Sequence, residues 1–148
     1  MIAAEAANSL SDCVISLRDW RRLGGPVSWN DNDPPSEDII KARLRAKYYG
    51  ALYVSLRPFL DYALHIMERL DQGERLEDVA KDAQGRPRTK DIRVFEGIIW
   101  LQKNQPDGVS LIKDMVKDCI ESAISSTTAF DQVKHRLVVT NIHGTAHA

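Results

Sequence analysis

Residues 40–57 constrain the fold more than any other stretch. On a helix, at about 100° per residue, Ile40, Leu44, Tyr48, Tyr49, Leu52, Tyr53 and Leu56 spread over most of the circumference. A helix apolar over that much of its surface has to be surrounded by others. Lys41, Arg43, Arg45 and Lys47 interrupt it at every second position. Alternate residues converge on one face of a strand, not of a helix. Lys41 and Arg45 therefore fall together on one side, and Arg43 with Lys47 on another. The expectation is a central packed helix whose basic residues are solvated or ion-paired flanks, their long stems reaching water. A nucleic-acid surface of interleaved basic and aromatic residues is the competing reading. Gly50 in mid-helix predicts close approach of a second helix, since glycine there costs up to about 1 kcal/mol relative to alanine.

The surrounding punctuation predicts further helices. Leu10, Cys13, Val14, Leu17 and Trp20 repeat at helical spacing within residues 3–23, and Gly24, Gly25 and Pro26 stop that helix. "VSWNDNDPP" reads as a loop in which Trp29 is an anchor packed back on the core. Ser36 is the expected N-cap of the central helix, with Glu37 and Asp38 in its first turn. That helix is expected over about 36–57, kinked or ended near Pro58, because an interior proline removes a backbone donor and clashes with the preceding turn. A short continuation runs through "FLDYALHIMERL". Residues 71–90 lose periodicity and read as an internal polar loop with one helical turn. A shorter helix spans about 91–103, weakened by Gly97 and closed by Pro106. The clearest helix follows, with Ile112, Met115, Val116, Cys119, Ile120, Ala123 and Ile124 forming one apolar face. The fold class expected is all-α, an irregular helical bundle.

Bulk properties narrow the function classes. The chain has 148 residues, 43% of them hydrophobic and 28% charged, with a net charge of −1, which is ordinary for one globular domain. A protein gripping a phosphate backbone carries a basic excess, so direct nucleic-acid binding by this segment is not expected. No apolar run approaches the ~20 residues of a membrane helix, and the N-terminus makes a poor signal peptide. The two cysteines, Cys13 and Cys119, do not form a CxxC pair, and a reducing compartment is the default. Cys119 sits on the apolar face of the best helix and reads as a buried, inert thiol.

Two short motifs carry rival readings. His143 and His147 in "HGTAH" have the i, i+4 spacing of a metal-binding pair, which would make a small metal-dependent enzyme. Gly144 stands where the zinc-protease pattern needs its general-base glutamate, and a third ligand is lacking. "AQGRPRTK" is similar to a minor-groove hook, with Gln84 in place of its first arginine, and Lys81, Lys90 and Arg93 extend it as a basic loop. A solvated loop is the simpler reading. The phosphate-loop, dinucleotide and nucleophile-elbow signatures are absent. No catalysis is expected.

Read together, four stretches resemble the regulatory region of fungal zinc-cluster transcription factors. They are "LRDWRRL…VSWNDNDPP", "DIIKARLRAKYYGALYVSLRPFLDYALH" (38–65), "STTAFD" and the closing "VTNIHGTAHA". Leu56, Leu137 and His143 depart from that pattern. The resemblance singles out Arg43, Leu44, Arg45, Tyr48, Tyr49, Gly50, Arg57, Pro58, Phe59, Phe130, Asp131, Asn141 and Gly144 as packing residues of its motifs, not as catalytic, metal-binding or DNA-binding groups. It implies one partial helical regulatory domain over 1–148, truncated and lacking the six-cysteine cluster that holds zinc and binds DNA in such factors. Zinc is expected only in that missing cluster. The implied partners are the rest of a full-length regulator, with a homodimer or a coregulator alongside, and the implied location is nuclear within that regulator and cytoplasmic otherwise. A helical interaction module unrelated to transcription is the alternative. The closing apolar stretch implies marginal stability or self-association of the isolated chain.

Overall fold

A computed structural model of the chain describes residue 12 and residues 29, 30, 32–89 and 91–134. The helix expected over 3–23, apart from Asp12, and the closing segment with Asn141, His143, Gly144 and His147 lie outside the described residues.

The central helix, α1, runs Ile39–His65. Its cap is Asp38, not Ser36. The Asp38 carboxylate accepts the amides of Ile40 at 2.7 Å and Lys41 at 3.3 Å, while the Ser36 hydroxyl accepts only the Asp38 amide, at 3.1 Å. The longer aspartate side chain thus satisfies two of the orphan donors that open any helix. Glu37 and Asp38 consequently precede the first turn rather than occupying it. Glu37 pairs instead with Lys134, at 2.9 Å.

Of the kink or end expected near Pro58, the end does not occur: α1 continues through the proline to His65. Leu56, Phe59, Tyr62 and Ile66 on the buried side are all at most 3% exposed. Burying each large apolar side chain contributes about 1.5–3 kcal/mol, so three of them beyond the proline outweigh its ~3 kcal/mol cost.

After Ile66 the short helix α2, Met67–Asp71, is closed by Gly73 at φ 88°. Gly73 N–H donates to Leu70 and Glu74 N–H to Arg69, the Schellman arrangement that requires a left-handed residue. Within the polar loop, α3 (Leu76–Val79) is the single helical turn, and it buries Val79 completely.

Helices α4 (Arg93–Asn104) and α5 (Gly108–Thr128) complete the described fold. Phe95 and Ile98 of α4 are fully buried, and the Tyr62 hydroxyl donates to Gln102 Oε1. The all-α class expected from the sequence is the class observed, with no strand among the described residues.

Helix α5 lies antiparallel along α1. Near the start of α1, Ser126 Oγ donates to the Ala46 carbonyl at 3.1 Å. Farther along, Cys119 Sγ donates to the Tyr53 carbonyl at 3.8 Å. The inward edge of α5 is therefore Ile112, Cys119, Ser122 and Ser126, ending on buried Ala129. Expected core members Ile120 and Ile124 are instead 47% and 56% exposed. Their place is taken by small serines, which let the helix axes approach while the Ser126 hydroxyl finds a carbonyl acceptor.

Gly50 faces Ser126 as expected, but the approach is not tight enough to require glycine. A Cβ there would meet Ser126 Oγ at 3.6 Å, ordinary contact. Gly50→Ala is expected to raise stability by up to about 1 kcal/mol through helix propensity, read from a denaturation midpoint; a loss would show the helices closer than this.

Candidate interaction surface

Two segments, the loop ahead of α1 and the end of α5, converge on the first half of α1. Arg45, Tyr48 and Tyr49 share a helix face by their i, i+3 and i+4 spacing. Trp29, half-buried, lays its ring edge-on to Tyr48, with centroids 5.3 Å apart, and tilts against Tyr49 at 6.2 Å. Its Nε1–H donates to the Tyr49 hydroxyl at 3.3 Å. The anchor expected at Trp29 is thus observed.

Arg45 corrects the expectation of solvated basic flanks. It is 8% exposed, with its guanidinium carbon 6.0 Å from the centre of the Trp29 ring. One terminal nitrogen donates to the Pro34 carbonyl at 2.6 Å and the other to the Asp33 carbonyl at 2.8 Å. The planar fork of arginine suits two adjacent carbonyls. Arg45 thereby fastens the segment ahead of α1 to the helix. Sequence reasoning gave Arg45 the same role as Arg43 and missed the two carbonyls. The available signal was the shared face of residues 45, 48 and 49 together with a tryptophan in the preceding loop.

The remaining motif residues scatter around this unit. Phe59 is buried, and Leu44, Gly50, Pro58 and Phe130 are half-buried. Arg43 and Asp131 are exposed, and exposed Arg57 pairs with Asp61 at 3.6 Å. Of the alternate basic residues, Lys41, Arg43 and Lys47 do face solvent. On both helices apolar side chains remain uncovered: Ile40, Val54 and Leu64 on α1, and Val109, Ile120 and Ile124 on α5.

The thiol of Cys119 is fully buried and unpaired. Burial first, and the nearby Asp61 charge second, push its pKa from 9.0 to about 11 against a lowering by Arg57. Above pH 9 the unfolded thiol ionises while the folded one stays protonated, so stability falls as pH rises from 9 towards 11. Native protein at mildly alkaline pH is expected to resist alkylation at Cys119 and to react once denaturant is added. Peptide mass spectrometry reads both states, and rapid labelling of the native chain would contradict the burial.

The described part of "AQGRPRTK", residues 83–89, belongs to a tight hairpin rather than an extended arm, and Lys90 lies outside the described residues. Lys81 and Pro87 form an antiparallel bridge, and Arg88 N–H donates to the Ala80 carbonyl at 2.9 Å. Asp82 staples the turn by accepting the amides of Gln84 and Arg86, each at 2.9 Å. It also pairs with the Arg86 guanidinium at 2.8 Å. Gly85 takes φ 76° at the tip, a conformation L side chains rarely adopt. With Arg86 held by Asp82 and Arg93 by Asp91 at 2.6 Å, the arginines do not project as one basic hook. Beside the hairpin lies an open groove of about 620 Å³.

Among the described residues there is no cluster of three or more His, Cys, Asp or Glu suited to a metal ion, and no helix long and apolar enough to cross a membrane. No family model, curated protein or solved structure matches the chain.

Proposed function

We propose that this chain is a helical regulatory module of the fungal zinc-cluster transcription factor type, coupling a signal or partner contact to transcriptional control without catalysing a reaction. The observation that carries the reading is physical convergence of separate sequence blocks. "VSWNDNDPP" supplies Trp29, Asp33 and Pro34; "ARLRAKYYGA" supplies Arg45, Tyr48 and Tyr49; "STTAFD" supplies Ser126, bonded to Ala46. Stretches up to 97 residues apart, from Trp29 to Ser126, thus meet on one helix. None of these bonds involves the described residues of the polar segment at 71–89, which has no part in the resemblance. In this reading the partners are the remainder of the regulator, a second copy or a coregulator. The location is nuclear within that regulator, and zinc belongs to a DNA-binding cluster outside this chain.

The test is to join the chain to an unrelated DNA-binding domain and measure a reporter under its operator. A several-fold change in output relative to the DNA-binding domain alone is expected, and it should disappear when Arg45 is replaced by Met. An output identical to the bare domain at equal nuclear protein level would overturn the reading.

The uncovered side chains Val54, Leu64, Val109 and Ile120 favour a second reading, an interaction module with no link to transcription. Exposed apolar side chains mark contact sites where they form a contiguous patch. Capture of a partner together with a silent reporter would select it.

A further inference from the structure

We propose that the groove beside the 80–88 hairpin is a binding site for a small carboxylate with an apolar body. Its volume of about 620 Å³ lies within the range of ligand sites, roughly 300–1,000 Å³. Its lining divides by chemistry. Ala80, only 6% exposed, and Ile92, packed against the core, make an apolar floor, and Pro87 adds an apolar wall. Lys81 and Arg88 bring two cations to the same groove.

Those two cations differ from their neighbours. Arg75, Arg86 and Arg93 are each ion-paired, with Glu77, Asp82 and Asp91 at 3.4, 2.8 and 2.6 Å. The Lys81 ammonium is in no hydrogen bond or close ion pair among the described residues, and its electrostatic neighbour is Glu77, whose carboxylate lines the same groove and whose pKa it helps to lower. Among the described residues Arg88 engages the Lys81 carbonyl through Nε, at 3.2 Å. That bond and the backbone bond from Arg88 N–H to Ala80 fix the guanidinium at the groove while its terminal nitrogens keep their donors. A planar carboxylate matches two such donors, and the apolar floor takes a hydrocarbon or aromatic body. Glu77 also lines the groove, and its negative charge opposes a doubly charged phosphate more than a single carboxylate.

The hairpin holds the lining of the groove in place. Asp82 closes the turn with two backbone amides and one guanidinium, so residues 81, 87 and 88 are held together rather than ordered at the moment of binding.

The experiment is calorimetric titration of the whole chain with 4-phenylbutyrate, with its uncharged amide and with inorganic phosphate. Saturable binding of the carboxylate is expected, with the amide and phosphate each at least several-fold weaker. Lys81→Met is expected to weaken the carboxylate roughly tenfold, the usual size of a lost charge-assisted contact, without moving the thermal midpoint. Arg88→Met should do the same, but it also removes the bond to the Lys81 carbonyl, so Lys81→Met is the decisive variant. Equal binding of amide and carboxylate, unchanged binding in Lys81→Met, tighter binding of phosphate, or no binding of any probe at millimolar concentration would each overturn the proposal. Displacement of the carboxylate by a short DNA duplex would overturn it in favour of the basic-hook reading. Occupancy is measured on the purified chain, so an empty groove and a silent reporter are separate results.

Discussion

Gly108→Ala is expected to lower stability by about 3 kcal/mol, the upper end of overpacking costs, and the melting temperature by roughly 10 °C for a chain of this size. Gly108 opens α5 after the three residues Gln105, Pro106 and Asp107 and is buried. A Cβ there would sit 2.7 Å from the Gln102 carbonyl oxygen, 2.8 Å from the Gln102 Cα and against the Leu101 carbonyl oxygen. All three are backbone atoms of α4, so no side-chain rotation relieves the clash. The last turn of α4 would have to move, and Phe95 and Ile98 on the same helix are fully buried in the core. Thermal unfolding of the variant beside Gly50→Ala separates the two glycines: one needed for space, the other replaceable. Wild-type stability in Gly108→Ala would mean that the α4–α5 turn is looser than the geometry states.

Arg45→Met should cost about 2–3 kcal/mol. Two hydrogen bonds from a charged donor are lost, each worth about 1.5–3 kcal/mol, and the exposed segment carrying their carbonyls recovers part of that by hydration. Arg43→Met, two residues away and exposed, should change stability by less than about 0.5 kcal/mol. Hydrogen exchange supplies the local readout. The backbone amides of Asn32, Asp33, Ser36 and Glu37, the four non-proline residues of 32–37, should exchange faster in Arg45→Met while those in the middle of α5 keep their protection relative to global stability. Arg45→Lys tests the fork itself, since one ammonium cannot serve both carbonyls as a guanidinium does. Equal stability of the arginine and lysine forms would reduce Arg45 to a simple charge.

The contrast between these two arginines shows where sequence reasoning stopped. Helix α1 was legible because its apolar residues recur at helical spacing over many turns, and that pattern survives any packing arrangement. Its cap was missed by two residues, since Ser36 and Asp38 are both good caps and the chain path decides which carboxylate or hydroxyl meets the free amides. Pro58 was over-weighted because a local cost was read without the burial of Phe59, Tyr62 and Ile66 that follows it. In α5 the inward edge was misassigned by roughly a quarter turn. Hydrophobicity put Ile120 and Ile124 inside, but close approach to α1 selected Ser122 and Ser126.

The groove at the hairpin was not legible at all. "AQGRPRTK" shows its positive charges in the sequence, yet which of them are neutralised depends on a turn held by Asp82 and Gly85. Only the folded backbone pairs Arg86 and leaves Lys81 and Arg88 facing an apolar floor. By itself, then, the sequence determined the all-helical class, the central position of α1, the anchor at Trp29 and the buried thiol of Cys119, because each follows from periodicity or residue type. Tertiary structure alone decided which arginine is buried, which glycine is indispensable and which cations are available to a ligand. Those outcomes depend on what lies a few ångströms away in space, from residues far off along the chain.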